Sequence, residues 1–287
     1  MDTRASALAA AAGAALGGLA VYVLSRRRDD GPPPAPAPRQ TFRHFPVRGP
    51  LQRSYSLAAT SLGEDATVRV VCYGDSNTWG FDAFSPAAAR EGVLCRFCEG
   101  GRWPRVAEKI LGPGYAVVEE GLNGRTTVHP DPLMGDYDAN GRATLAAILH
   151  SHKPFDVVVL MLGTNDLKTH LALTPEQIAK GASTLVGDVF KMGVTRSAER
   201  PKVLLVAPPR VWDKPEWGFA GARSRSDACR ACYAAEAEAH GCAFLDANDV
   251  FAIPDPAKEG GDGIHLSPAN ANALGAAVAA KIESMMA

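Results

Sequence analysis

The strings Gly74-Asp75-Ser76-Asn77 and Asp262-Gly263-Ile264-His265 hold, between them, a hydroxyl, an imidazole and a carboxylate. A serine hydroxyl is a poor nucleophile near neutral pH and needs an adjacent base, and the base needs a group that orients its ring. Asp262 precedes His265 by three residues in a glycine-rich turn. It can therefore fold back onto one ring nitrogen and leave the other for Ser76. The run Val68-Arg69-Val70-Val71-Cys72-Tyr73 is β-branched and apolar, so Ser76 is expected where a mostly buried strand meets a turn. Taken alone, Ser76 is equally an N-cap for a helix beginning at Asn77 or Thr78. Of the other histidines, His44, His129, His150, His152, His170 and His240, most read as surface residues.

Two further strings lie between these: Gly121-Leu122-Asn123-Gly124-Arg125-Thr126-Thr127 and, after the apolar run Val157 to Leu162, Gly163-Thr164-Asn165-Asp166. In this order the four strings resemble the SGNH, or GDSL-type, serine hydrolase superfamily, from about Val68 to the C-terminus. The wording is most similar to the arylesterase and acyltransferase branch, with its GDS-x-TWG, EEGL-x-x-RTT, LGTND and DGIH strings. The resemblance implies Ser76 as nucleophile, His265 as base and Asp262 as its orienting carboxylate. It also implies three oxyanion donors: the N–H groups of Ser76 and Gly124 and the amide of Asn165. Asp75 would brace the nucleophile loop, and Trp79, Arg125 and Asp166 would bind substrate or tie the pocket walls together. Asn77 stands where the eponymous string has leucine, a change that leaves the chemistry intact. The expected activity is carboxylic-ester hydrolysis through an acyl-enzyme, with acyl transfer to alcohols as an extension. A carbohydrate or lipid deacylase would share the mechanism, and a non-catalytic tethered binding protein is the rival from another class. The resemblance calls for no cofactor and no metal, and for either a monomer or a homo-oligomer.

The elements that must position these residues alternate. Strands are expected at 67–73, 116–120, 156–162, 202–207 and 243–246, and helices at 103–111, 142–150, 175–191, 226–240 and 268–286. Such alternation predicts an α/β fold, a three-layer α/β/α sandwich around a central, mostly parallel sheet, with ligands at the carboxyl ends of the strands. The resemblance makes that fold flavodoxin-like. No G-x-G-x-x-G follows the first strand and no G-x-x-x-x-G-K occurs, so nucleotide binding is not expected. With 30 basic and 31 acidic residues and a net charge of −1, the chain has no electrostatic footprint for nucleic acid.

The first part of the chain differs in kind. Ala5 to Leu24 is an uncharged run of about twenty residues, long enough for a helix to cross a hydrocarbon core of ~30 Å, and Arg26-Arg27-Arg28 follows it. Residues 1–30 are thus expected to be a membrane anchor or a targeting segment, either a retained span or a cleaved signal or transit peptide. A retained span would leave the hydrolase domain cytosolic by the positive-inside bias, with an organellar outer membrane fitting equally well, whereas cleavage would leave the protein organellar or secreted. Residues 31–39 are rich in proline and read as a semi-rigid linker, with the hydrolase domain at 40–287. Cys95-x-x-Cys98 and Cys229-x-x-Cys232 have a spacing that suits zinc, a disulfide or ordinary packing thiols, and the resemblance requires none of these. The segment 210–223, with Trp212, Trp217 and Phe219, is expected to form a lid, an oligomer contact or a packed loop, and the segment 83–101 a loop over the site or a solvated insertion.

Overall fold

The computed structural model describes residues 67–88, 93–192, 195 and 199–287. The expected anchor, the linker and the start of the domain lie outside these residues. Among the described residues no helix is long and apolar enough to cross a membrane.

The β-branched runs form five parallel strands, β1 Val68–Gly74, β2 Tyr115–Gly121, β3 Val157–Met161, β4 Lys202–Ala207 and β5 Ala243–Asp246, in the order β2-β1-β3-β4-β5. All five residues of β3 are buried, as a strand covered on both faces must be. Successive side chains of β1 go to opposite faces. Val71 and Tyr73 join one core with α3 Gly141–Ser151, α4 Pro175–Met192 and α5 Ala222–His240. Val70 and Cys72 join the other, with α2 Trp103–Leu111 and α6 Pro268–Met286. The one-turn helix α1, Ser76–Trp79, follows β1 directly. This is the three-layer α/β/α sandwich the alternation predicts.

Local chemistry sets the helix starts. Asp75 caps α1 by accepting from Asn77 N at 2.9 Å, Asn140 caps α3 by accepting from Arg142 N at 2.9 Å, and Ser267 caps α6 by accepting from Asn270 N at 3.2 Å. Pro268 occupies the first turn of α6, where its missing N–H is harmless. Helix α5 starts at Ala222, four residues before the expected Ser226, because the segment ahead of it folds tightly onto the domain. Lys214 and Phe219 bond each other's backbones at 3.2 and 2.9 Å, and Phe219 is buried.

Register brings the strand ends together. Gly74 pairs with Gly121 on one side and Met161 on the other, so three carboxyl ends stop at one level. The contact there is close. A Cβ at position 121 would sit 2.2 Å from Trp79 N and 2.5 Å from Trp79 Cα, backbone atoms that have no side-chain freedom with which to yield. Gly121→Ala should therefore cost about 3 kcal/mol, near the upper end for overpacking, and lower the melting temperature by roughly 6–12 °C. An unchanged melting temperature in a scanning calorimeter would show that α1 can slide away from β2.

Candidate active site

Ser76 opens the first turn of α1, just beyond the carboxyl end of β1, and is 7% exposed. The chain returns to it 189 residues later. Gly261 and Gly263 lie at φ +79° and +81°, a left-handed backbone that side chains disfavour, and this curls the Asp262 turn back on itself. Asp262 Oδ1 accepts from the N–H groups of Ile264 and His265, both at 2.9 Å. Its Oδ2 is 2.6 Å from His265 Nδ1, and His265 Nε2 is 2.9 Å from Ser76 Oγ. An ionised carboxylate only accepts, so Nδ1 carries the proton and Nε2 is left to accept from the serine hydroxyl. Burial alone would raise the Asp262 pKa. The adjacent imidazole, the bond from His265 Nδ1 and the two N–H donors outweigh it and hold that pKa at about 2.

Three groups are the expected oxyanion donors. The N–H groups of Ser76 and Gly124 make no hydrogen bond to any described residue. Asn165, 7% exposed, begins the turn after β3 and spends one amide hydrogen on the Arg125 carbonyl at 3.1 Å, which leaves the other unspent. Serine, imidazole, carboxylate and these donors form the set that acyl transfer uses.

The other expected site residues separate. Asp166 is fully buried and accepts from Thr127 N at 2.9 Å and Thr127 Oγ1 at 2.6 Å, with His129 Nδ1 3.1 Å away. Arg125 is 3% exposed, and its Nη1 donates to Gly74 O at 2.7 Å and to Glu120 O. Of the two roles open to this pair, contact with substrate or bracing of the walls, burial and the bonds to the Gly74 and Glu120 carbonyls and to Thr127 favour the bracing one. Trp79 keeps partial exposure at the end of α1, under the Arg96 guanidinium at 4.9 Å. His129, His152 and His170 are not free surface residues. They face Asp166, Glu120 at 2.6 Å and Asp131 at 2.8 Å respectively. Lys168 also reaches Asp131 at 2.8 Å, which ties the loop bearing Gly124 to the one bearing Asn165.

Several contributors carried no signal in the sequence beyond their own identity. Asn77 Oδ1 accepts from Leu266 N at 3.0 Å, so the residue that replaces leucine fastens the nucleophile turn to the residue after His265. Phe81 lies against the His265 ring with centroids 4.3 Å apart. Trp212 N donates to Gly263 O at 2.8 Å, which makes the 210–221 segment a packed support for the Asp262 turn. Residues 81–82 and 95–96 pair across a short bridge, with Asp82 N donating to Cys95 O at 3.0 Å, and flank the site from the other side. All six cysteines are free, and burial pushes the Cys229 thiol up to about 12. Among the described residues no group of His, Cys, Asp or Glu is placed to hold a metal ion.

Asp75, directly before the serine, has the opposite electrostatic situation to Asp262. Burial raises its pKa to about 6, against the lowering effects of the Asn77 N–H, His265 and Arg125. A carboxyl that prefers its proton in the folded state adds stability below its unfolded value of 3.8, and this is lost as pH rises through about 6. Asp75→Asn keeps an acceptor for the Asn77 N–H and removes that loss. Its stability relative to wild type should rise between about pH 4 and about pH 7.5 by the equivalent of about 2–3 kcal/mol. A constant difference in melting temperature over that range would show that Asp75 titrates as it does in water.

Known proteins supply an independent comparison. The GDSL-like Lipase/Acylhydrolase family matches residues 72–271. Among solved structures, a carbohydrate acetylesterase from Sinorhizobium meliloti is 37% identical at TM-score 0.68, over 76% of this chain and 100% of its own. The aryl esterase of M. smegmatis is 36% identical at TM-score 0.67, over 76% and 99%. A lipase/acylhydrolase from Enterococcus faecalis, 19% identical at TM-score 0.54, shares the fold. No curated protein matches. A family match across most of the chain, together with close relatives that it covers almost end to end, settles its kinship: the chain belongs to the GDSL-like lipase/acylhydrolase family.

Proposed function

We propose that the protein is a serine carboxylic-ester hydrolase acting on short acyl esters through an acyl-enzyme on Ser76. The observation that carries this reading is the unbroken chain from Asp262 through His265 to Ser76, at 2.6 and 2.9 Å. Attack by Ser76 Oγ on the ester carbonyl passes the hydroxyl proton to His265 Nε2, while Asp262 stabilises the imidazolium that forms. Negative charge on the carbonyl oxygen is met by the Ser76 and Gly124 N–H groups and the Asn165 amide. His265 then returns the proton to the departing alcohol. Water, deprotonated by the same imidazole, releases the acid. An alcohol in place of water gives acyl transfer by the same route.

The relatives' names, an aryl esterase and a carbohydrate acetylesterase, support acetyl esters of phenols and of sugars as the first substrates to offer. Purified protein should turn over p-nitrophenyl acetate and react with a fluorophosphonate. Ser76→Ala and His265→Ala should each lose more than about 10³-fold in turnover with the fold intact. No wild-type turnover, or labelling that persists without Ser76, would refute the reading. Asn165→Ala should lower kcat by about 10²- to 10³-fold and leave KM nearly unchanged, because an oxyanion donor acts in the transition state. A loss confined to KM would assign Asn165 to substrate binding instead. Acetylated sugars set against longer-chain esters separate a sugar deacetylase from a lipid deacylase, and added alcohol with product analysis measures transfer.

A further inference from the structure

Arg125 is a buried cation that the proposed chemistry leaves without a task. Its Nη1 bonds go to two neutral carbonyls, Gly74 O and Glu120 O, its Nε has no partner, and its guanidinium lies over the Tyr73 ring at 4.0 Å from the centroid. No carboxylate among the described residues pairs with it. Glu120 gives its carboxylate to His152 at 2.6 Å, and Asp75 gives one oxygen to the Asn77 N–H at 2.9 Å. A buried charge whose hydrogen bonds go only to carbonyls, with the Glu120 and Asp75 carboxylates acting on it from a distance, is costly to folding. Holding two strand ends together does not call for one, since a neutral donor would bond the same two carbonyls.

Its location supplies a reason. Arg125 directly follows Gly124, its carbonyl receives the Asn165 amide at 3.1 Å, and its guanidinium bonds the carbonyl of Gly74, two residues before Ser76. All three proposed oxyanion donors are thus within two residues of, or bonded to, an atom that Arg125 holds. We infer that Arg125 serves the oxyanion from behind the cleft wall: its fixed positive charge stabilises the negative charge that develops there, and its backbone orients the donors. The inference rests on the esterase reading above. A field in a water-poor site acts without reorganisation when the charge appears, and it favours the tetrahedral anion over the neutral ester. Arg125 touches no reacting atom. It is a positioning residue whose charge has a use.

The test compares the full-length wild type with Arg125→Met and Arg125→Lys, using p-nitrophenyl acetate for kcat and KM and phenylboronic acid, which forms a tetrahedral anion on a serine oxygen, for inhibitor affinity. The methionine variant should lose about 100-fold in kcat, the scale of one oxyanion contribution, with KM nearly unchanged and boronate affinity falling in parallel. The lysine variant, which restores the charge without the fork, should recover to within about tenfold of wild type in both. Folding is checked by melting temperature. If Arg125→Met does not fold, the lysine variant decides. A folded lysine variant that loses about 100-fold or more, or a folded methionine variant within a few-fold of wild type, overturns the inference while wild-type turnover leaves the esterase reading standing. Absent wild-type turnover overturns that reading, and this inference with it.

Discussion

Two hydrogen bonds between residues 189 positions apart hold the site together: His265 Nε2 to Ser76 Oγ, and Leu266 N to Asn77 Oδ1. Both depend on α6 docking beside α2 on one face of the sheet, because the turn that bears Asp262 and His265 is the lead-in to α6. Loop-closure entropy over such a separation is substantial but grows only slowly with length. The cost is met by the apolar core between α2, α6 and the sheet rather than by the polar contacts. Catalytic geometry is here a by-product of helix docking. Anything that tilts α6 moves the imbalance straight into the distance between base and nucleophile.

The site contains two buried carboxylates with opposite behaviour, and the difference is one of donors. Asp262 collects two backbone N–H groups and an imidazole, and its pKa falls to about 2. Asp75 collects one N–H, and burial carries its pKa to about 6. The contrast suits their places. A carboxylate that orients a base has to stay ionised while the imidazole gains charge. The one that caps a single helical turn needs only an oxygen facing an N–H, which either protonation state provides.

The sheet, its layers and the long helices were legible because buried parallel strands must be continuous apolar runs, as at Val157 to Leu162, and amphipathic helices must alternate with them. The motif strings placed the serine, imidazole and carboxylate on loops at one edge. What stayed hidden follows from a different physics. Whether Asp166 and Arg125 face the cleft or its back wall is set by contacts between loops that are distant in sequence. Thr127 to Asp166 spans 39 positions and Arg125 to Gly74 spans 51. The pairing of His152 with Glu120 and of His170 with Asp131 is equally non-local. Helix α5 started early for the same reason: the Lys214 and Phe219 backbone pair, not local propensity, ends the loop before it.

The loops divide by task. Those bearing Ser76, Gly124, Asn165 and His265 are locked by backbone bonds and buried side chains. The flanking segments are built otherwise. Phe81 touches the His265 ring while Leu94 is 70% exposed, and the 129–138 loop exposes Leu133 at 70% and Tyr137 at 38% while Tyr137 Oη donates to Asn123 O at 2.6 Å. Exposed side chains outside the Ser76, His265 and Asp262 hydrogen bonds can change size without changing those distances.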